Sequence, residues 1–408
     1  MIESIRKKTI FWSFISVLLS IPIALLGTRA NYPLTCTADD RLIETQADTP
    51  AIKVSDRGTA LLDNKPFFPL GFYHVSWQAS NEERSRHLEE IADAGFNTIH
   101  VSFDTTDAPA NKSAKIEQYA KFLQEAETFG IKVLTEFDPK ERLMLVNDLK
   151  NQPAILGWNI ADDVDNGRLT PTKVLDFHCQ LKKADSRHLT YISGYSEREI
   201  SDYVNTADAI GVQAYPVGDK RDRTFDWPNH MITIADAAAH PDRLIIGNVQ
   251  AFRWDKDNPA AVENPPIPTF KQIRNMTYQS LVGGAKGIIF YTAYAEDWNI
   301  LEHPQLWQKV KSLVPEIDRL KPMLLEGKLN KLETEAENIL AGVWTLDTRK
   351  VAIVVNTSNQ DTTEVALNFP GGKARSIFNH KTEEVEIERG QLIESLEPLE
   401  VRVYELLP

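Results

Sequence analysis

The chain reads as an α/β protein: a (β/α)8 TIM barrel followed by a small C-terminal β-sandwich. Three observations predict this. Apolar strand-like runs alternate with longer amphipathic runs of helical period eight times before Gly327. Past Gly327 the pattern changes to short alternating segments separated by turn residues such as Pro370-Gly371-Gly372. The length of 408 residues exceeds one ordinary core and fits one barrel of about 250 residues plus a smaller module.

Taken in order, Arg6, Lys7 and Lys8 precede an apolar run from Thr9 to Leu26, long enough to span a bilayer or to form a long signal core. Positive charge ahead of the run places the body outside the cytoplasm. Residues 1–30 are therefore expected to be a signal peptide cut after Ala30, or a membrane anchor through residues 9–26, and the protein is expected to be exported. Residues 31–50 are polar and aperiodic, a linker. The barrel is assigned to 51–327 and opens with a hairpin between Ile52 and Pro66 that turns at Asp63-Asn64. Its strands are expected at Phe68–His74, Thr98–Phe103, Lys132–Asp138, Ile155–Asp162, Leu189–Tyr195, Ala209–Tyr215, Leu244–Phe252 and Gly287–Ala293. Between them, Leu88, Ile91 and Ala92, or Ile116, Tyr119, Ala120 and Leu123, recur at helical spacing, and Gly95 and Gly130 stop those helices. The sandwich is assigned to 328–408, with strands at Ile339–Leu346, Lys350–Asn356, Thr363–Asn368, Ala374–Asn379, Glu383–Ile387 and Glu400–Glu405.

Composition removes several functions. A formal net charge of −13 repels phosphate backbones, so nucleic acid is not an expected partner. No glycine-rich phosphate loop follows an early strand, which disfavours an open doubly wound sheet, and no cofactor is expected. Nine scattered histidines without HExxH, and only two cysteines, Cys36 and Cys179, argue against a metal site; the cysteines allow one disulfide.

In such a barrel the working residues project from the C-terminal strand ends, where eight loops converge. Those ends carry Tyr73, His74 and Trp77, then Asp104, Glu136 with Asp138, and Asp162 with Asp163. The later strands add Tyr195, Gln213, Tyr215, Gln250, Phe252, Trp254, Tyr291, Tyr294, Glu296, Asp297 and Trp298. Acids, amides and aromatic rings together suit a carbohydrate: rings stack on C–H faces, amides and acids hold hydroxyls, and acids move protons. The sharpest signal is Leu156-Gly157-Trp158-Asn159-Ile160-Ala161-Asp162-Asp163, a strand ending in two adjacent carboxylates, whose repulsion raises one proton affinity. Asp capping of the next turn and a core ion pair at Glu136 or Asp138 are the plainer readings of the same residues.

Several segments resemble the (β/α)8-barrel glycoside hydrolases that include cellulases, mannanases and β-galactosidases. They are Asp63-Asn64-Lys65-Pro66-Phe67-Phe68-Pro69-Leu70-Gly71-Phe72-Tyr73, Gly157 through Asp163, Ala209 through Pro216, and Gly284-Ala285-Lys286-Gly287 with Phe290-Tyr291. The resemblance implies a proton donor at Asp163; Asp162 beside it is read as its helper, and Glu136 as a candidate second catalytic carboxylate. The chain departs from the pattern twice. The donor there is normally glutamate, and a displacement of about 1 Å costs roughly 10²-fold in rate. The seventh strand, where the nucleophile belongs, offers only the amides of Asn248 and Gln250. Three layouts stay open: an inverting pair of Asp163 with Glu136, Glu296 or Asp297; paired acids similar to those of substrate-assisted hexosaminidases; and a glycan-binding or scaffold barrel without catalysis.

Overall fold

The computed structural model describes residues 36, 52–75, 79–103, 109–137, 141–221, 224–295, 298–369, 372–378 and 384–407. The expected leader and linker, Cys36 apart, and the candidates Trp77, Asp104, Asp138, Glu296 and Asp297 lie outside the described residues. Among the described residues no helix is long and apolar enough to cross a membrane. Cys36 is disulfide-bonded to Cys179.

Strands β1 (Ile52–Val54), β2 (Ala60–Leu62) and β3 (Lys65–Phe67) form a small antiparallel sheet. Leu62 pairs with Lys65 across Asp63-Asn64, whose φ values of 50° and 62° are the left-handed pair that a two-residue hairpin requires. Ile52 and Ala60 pack with Leu134, Leu156, Leu189, Leu244, Ile246 and Ile289, so this sheet closes the N-terminal end of the barrel.

The barrel strands are β4 (Leu70–His74), β5 (Thr98–Ser102), β6 (Lys132–Glu136), β7 (Ile155–Ala161), β8 (Leu189–Gly194), β9 (Ala209–Ala214), β10 (Leu244–Gln250) and β11 (Ile288–Ala295). Each pairs in parallel with the next, and β11 pairs with both β10 and β4, which closes the ring. All eight predicted strands are present, their ends within about two residues of expectation. A two-residue strand, β12 (Trp298–Asn299), returns along the end of β11. Helices α1 (Asn81–Asp93), α2 (Pro109–Thr128), α3 (Arg142–Leu149), α4 (Pro171–Ala184), α5 (Ile200–Tyr203), α6 (Trp227–Ala238), α7 (Phe270–Gly283), α8 (Pro304–Val310) and α9 (Leu313–Glu326) complete the unit. Ser80 and Glu83 form a capping box at the start of α1, as Thr269 and Gln272 do for α7.

The pattern switch at Gly327 is the end of α9, followed at once by β13 (Lys328–Leu332). Then come β14 (Ile339–Leu346), β15 (Arg349–Asn356), β16 (Thr363–Asn368), β17 (Lys373–Ile377), β18 (Glu384–Glu386), β19 (Gln391–Leu396) and β20 (Val401–Leu407). They form a six-stranded sheet in the order β13-β14-β15-β20-β17-β18, faced by the pair β16-β19. Alternation gives the large sheet two apolar faces. Ala341, Val343, Ala352 and Val354 meet Val365, Leu367, Leu392 and Leu396 of the small sheet, while Trp344, Val351, Ile353 and Val403 join the barrel's own core. Arg274 and Asn275 on α7 donate to the carbonyls of Val401 at 3.2 Å and Asn356 at 2.9 Å, tying the two parts together. Asn275 and Asn356, the acceptors of two Asn-x-Ser/Thr matches, are fully buried, which leaves neither open to glycosylation in the folded chain.

Candidate active site

Alternation along each strand turns every second side chain toward the barrel axis, so the interior is built in layers. The lowest is apolar, with Leu134, Leu156, Leu189, Ile246 and Ile289. Above it the Tyr191 hydroxyl and the Asn248 side chain bond each other over the intervening strand β9, Nδ2 donating at 2.9 Å. Gly211 provides the space, because a Cβ there would lie 1.7 Å from the Tyr191 hydroxyl. In the same layer His100 stacks under Tyr73, ring centres 4.1 Å apart. Asn159 Oδ1 accepts from Ala161 N, so its Nδ2 faces His100 Nε2 at 3.1 Å. Burial holds His100 far below the usual histidine range, at about 3, and keeps it neutral.

The next layer holds the acids. Tyr73 donates to Glu136 Oε2 at 2.6 Å. The register of β7 shifts against both neighbours, and Asp163 just beyond it takes a left-handed φ of 48°. Consecutive residues of a regular strand point to opposite faces; the turn at Asp163 instead opens both Asp162 and Asp163 onto one cavity. Ser193 Oγ donates to Asp162 Oδ1 and accepts from Asp163 N at 3.1 Å. Gln213 Nε2 donates to Asp163 Oδ1 at 2.9 Å and Ser193 Oγ at 2.8 Å, and reaches Asp162 Oδ1 at 3.5 Å. Asp165, two residues on, accepts from Tyr195 N at 2.8 Å and Ser196 N at 2.7 Å, pinning the loop to the end of β8. A Cβ on Gly194 would come within 2.7 Å of that carboxylate, so the tight junction needs glycine.

Desolvation raises all three acids. Asp162 is pushed up to about 7, first by burial and then by Glu136. Asp162 is itself exposed to the cavity, and its charge is disfavoured by the protein packed around it and by Glu136. Asp163 rises to about 6, by burial and then by Asp162, with the Gln213 amide opposing. Burial also raises Glu136 against the hydrogen bonds of Tyr73 and Asn159. Near neutral pH the cluster therefore retains a proton.

The cavity has a volume of about 400 Å³. Of the sequence candidates it gathers Asp162, Asp163, Tyr195, Gln213, Tyr215, Phe252, Trp254, Tyr291 and Trp298. Tyr215 and Tyr291 stack with centres 5.5 Å apart, and Phe252 stands edge-on to both. Glu136 and Tyr73 lie behind this lining and act on it through charge and hydrogen bonds. The loop beginning at Arg253 is part of the wall: Arg253, Trp254, Asp255, Asn258 and Ala260 all line the cavity. It is joined to the loop after β9 by an antiparallel bridge between Asp219 and Ala261, and by Val262 N donating to Gly218 O at 2.9 Å.

Two expected binding residues are placed elsewhere. His74 follows inward-facing Tyr73 and so turns outward, where it is buried against His87 with ring nitrogens 2.9 Å apart. Gln250 is fully buried and its amide is consumed by backbone: Oε1 accepts from Val217 N at 2.8 Å, and Nε2 donates to Val217 O at 2.9 Å and Phe252 O at 3.2 Å. Trp298 is 4% exposed and donates to Thr292 O at 3.0 Å, so it supports the wall more than it presents a face. The sequence reading missed Ser193, Asp165, Arg221 and the Asn159–His100 pair. Ser193 was open to inference, since it stands two residues after inward-facing Tyr191; nothing comparable marks Arg221, which sits on an irregular loop.

The eight parallel strands close into a (β/α)8 barrel, and solved glycoside hydrolase structures share that fold. An Anoxybacillus α-amylase matches with a TM-score of 0.56 at 13% identity, covering 82% of this chain and 92% of that one. A family 39 glycoside hydrolase from Bacteroides cellulosilyticus matches at 0.53 and 12% identity, covering 87% and 82%. A family 30 endoxylanase from Clostridium papyrosolvens matches at 0.50 and 11% identity, covering 88% and 98%. At such identities the likeness is one of fold. No family model matches the chain, and no curated protein matches it in sequence.

Proposed function

We propose that this chain is an exported glycoside hydrolase acting on a glycan that contains a 2-acetamido sugar, with Asp163 as proton donor and Asp162 as its partner. The observation that carries this is the left-handed turn that opens two consecutive carboxyls, both with raised proton affinity, onto one cavity. Because Gln213 Nε2 lies 3.5 Å from Asp162 Oδ1 and 2.9 Å from Asp163 Oδ1, those oxygens are closer than the roughly 6.5 Å lower limit of an inverting pair, so these two acids do not invert with each other. β10 ends in an amide committed to backbone, so it supplies no nucleophile for a retaining pair.

Two adjacent acids this close fit a pair working on one side of the substrate. Asp163 gives its proton to the glycosidic oxygen as the C–O bond breaks, while the substrate's own acetamido oxygen bonds to the anomeric carbon. Asp162 accepts the acetamido N–H and takes that proton as the ring closes. The Tyr215 hydroxyl, which has no hydrogen-bond partner among the described residues and lies in electrostatic reach of both acids, is placed to donate to the acetamido oxygen. Water then attacks the anomeric carbon, returns a proton to Asp163, and Asp162 restores the N–H.

The test is a pair of aryl glycosides that differ only in a 2-acetamido or a 2-hydroxyl group. Turnover is expected for the first and not the second. Equal turnover of both would remove the acetamido step, and no turnover of either across sugar configurations would leave glycan binding without hydrolysis. Export is supported by Arg6, Lys7 and Lys8 ahead of the apolar run and by the Cys36–Cys179 disulfide, a bond that persists in oxidising compartments. Cell fractionation is expected to find the body outside the cytoplasm; a cytosolic protein with reduced cysteines would contradict it.

A further inference from the structure

The loops after β9 and β10 bring a fixed cation to the same cavity. Arg221 lines it, and its guanidinium is held from behind by Asp219, whose side chain is 0% exposed: Nε donates to both carboxylate oxygens at 2.8 Å, and an Nη nitrogen lies 2.6 Å from Oδ2. Asp219 also accepts from Arg221 N at 2.9 Å, and its own backbone is bridged to Ala261. An exposed arginine ordinarily loses rotamer freedom when it binds; here the buried acid and the bridged loops have already fixed it. The side chain remains 40% exposed, and its Nη1 edge has no partner among the described residues. Arg253 on the neighbouring loop adds a second cation to the lining, and Asp255 beside it accepts from Asp257 N at 2.8 Å. Arg221 also lies within electrostatic reach of the Tyr195 ring, as Asp163 does, which puts the cation near the reacting end of the cavity.

We propose that Arg221 is a specificity residue for a sugar carboxylate, so that the glycan cleaved here carries an acidic sugar next to the 2-acetamido sugar. This rests on the reading of the acid pair given above. A planar guanidinium with one edge fixed and one edge open matches a carboxylate through two parallel N–H bonds, which a hydroxymethyl group cannot accept. The chain's net charge of −13 repels anions at long range, so retention of an acidic sugar has to come from cations built into the site.

The experiment is calorimetric titration of the full chain with matched disaccharides, a 2-acetamido sugar joined in either order to a uronic acid or to the corresponding neutral hexose. In the parent the acidic disaccharide is expected to bind at least about tenfold tighter, with the difference shrinking as salt rises. Arg221→Gln is expected to abolish the preference, weakening the acidic disaccharide about tenfold more than the neutral one. Arg221→Lys, which keeps a charge against buried Asp219 and so guards against misfolding, is expected to retain part of it. Equal affinities in the parent, or equal weakening of both sugars in Arg221→Gln, would overturn the carboxylate subsite while leaving the acid pair intact. Absence of binding by either sugar, together with no hydrolysis of the 2-acetamido aryl glycoside, would overturn both readings.

Discussion

The ends of β7 and β10 occupy comparable places in the ring and are built in opposite ways. At β7 the strand slips register, the chain turns left-handed, and two carboxyls are left desolvated with their proton affinities raised. At β10 the last side chain, Gln250, is fully buried and spends its amide on three backbone groups. One end stores unfavourable electrostatics where chemistry can use it; the other satisfies every polar atom and holds a loop. Identical positions in a barrel thus specialise by hydrogen-bond accounting, and the residue type alone does not say which way.

Variants at the two ends sharpen this contrast. The largest expected effect is at β7: Asp163→Asn keeps the shape and the Gln213 contact but has no proton to give, so kcat/KM on an unactivated 2-acetamido glycoside is expected to fall about 10³-fold. Steady-state kinetics check it, and a loss below about tenfold would remove Asp163 as donor. Next is β10, where Gln250→Ala strands Val217 N and O without partners. Denaturant unfolding is expected to show a loss of about 2–3 kcal/mol, with turnover at low temperature largely kept. If turnover vanished while stability held, Gln250 would belong to the chemistry after all.

A smaller effect is expected from Asp162→Asn, and its sign reverses the usual one. The folded-state proton affinity of Asp162 is raised, so its charge opposes folding; that cost is absent below the ordinary carboxylate range near 3.8 and full above about 7. The variant is therefore expected to melt higher than the parent at pH 8 and equally at pH 3.5, in thermal scans at both pH values. Smallest is Gln213→Leu, which removes an amide that favours ionised Asp163. The basic limb of the pH–rate profile is expected to move upward; a downward move would reverse the assigned role of that amide.

The barrel was legible because buried parallel strands are continuous apolar runs and the helices between them keep their own period. The sandwich was legible in outline, but β13 and β19 were not recognised: Lys328 and Lys331 of β13 sit among the charged turns and hide the alternation, and β19 inverts it, with Ile393 exposed and Glu394 buried under the Tyr404 hydroxyl. At the site, Asp162 and Asp163 stood out as adjacent acids at a strand end. Strict alternation would have separated Tyr73 from His74, since both cannot face the axis. What no local pattern carries is orientation set by distant partners: the amide of Gln250 turned to Val217, the hydroxyl of Ser193 bridging two acids, and Arg221 fixed by a neighbour two residues away on a loop.

The central claim is that Asp162 and Asp163 hold one proton between them at working pH, because burial and mutual repulsion raise both, and that Asp163 delivers it. The most direct measurement is kcat/KM against pH, from 4 to 9, for the parent and Asp163→Asn. In the parent the proposed step needs one proton on the pair, with Asp163 protonated and Asp162 ionised, so a bell is expected, rising through about 6 and falling through about 7, and the falling limb is expected to be missing from the weak residual activity of the variant. A parent profile flat across that range, or the same limb surviving in Asp163→Asn, would contradict the claim.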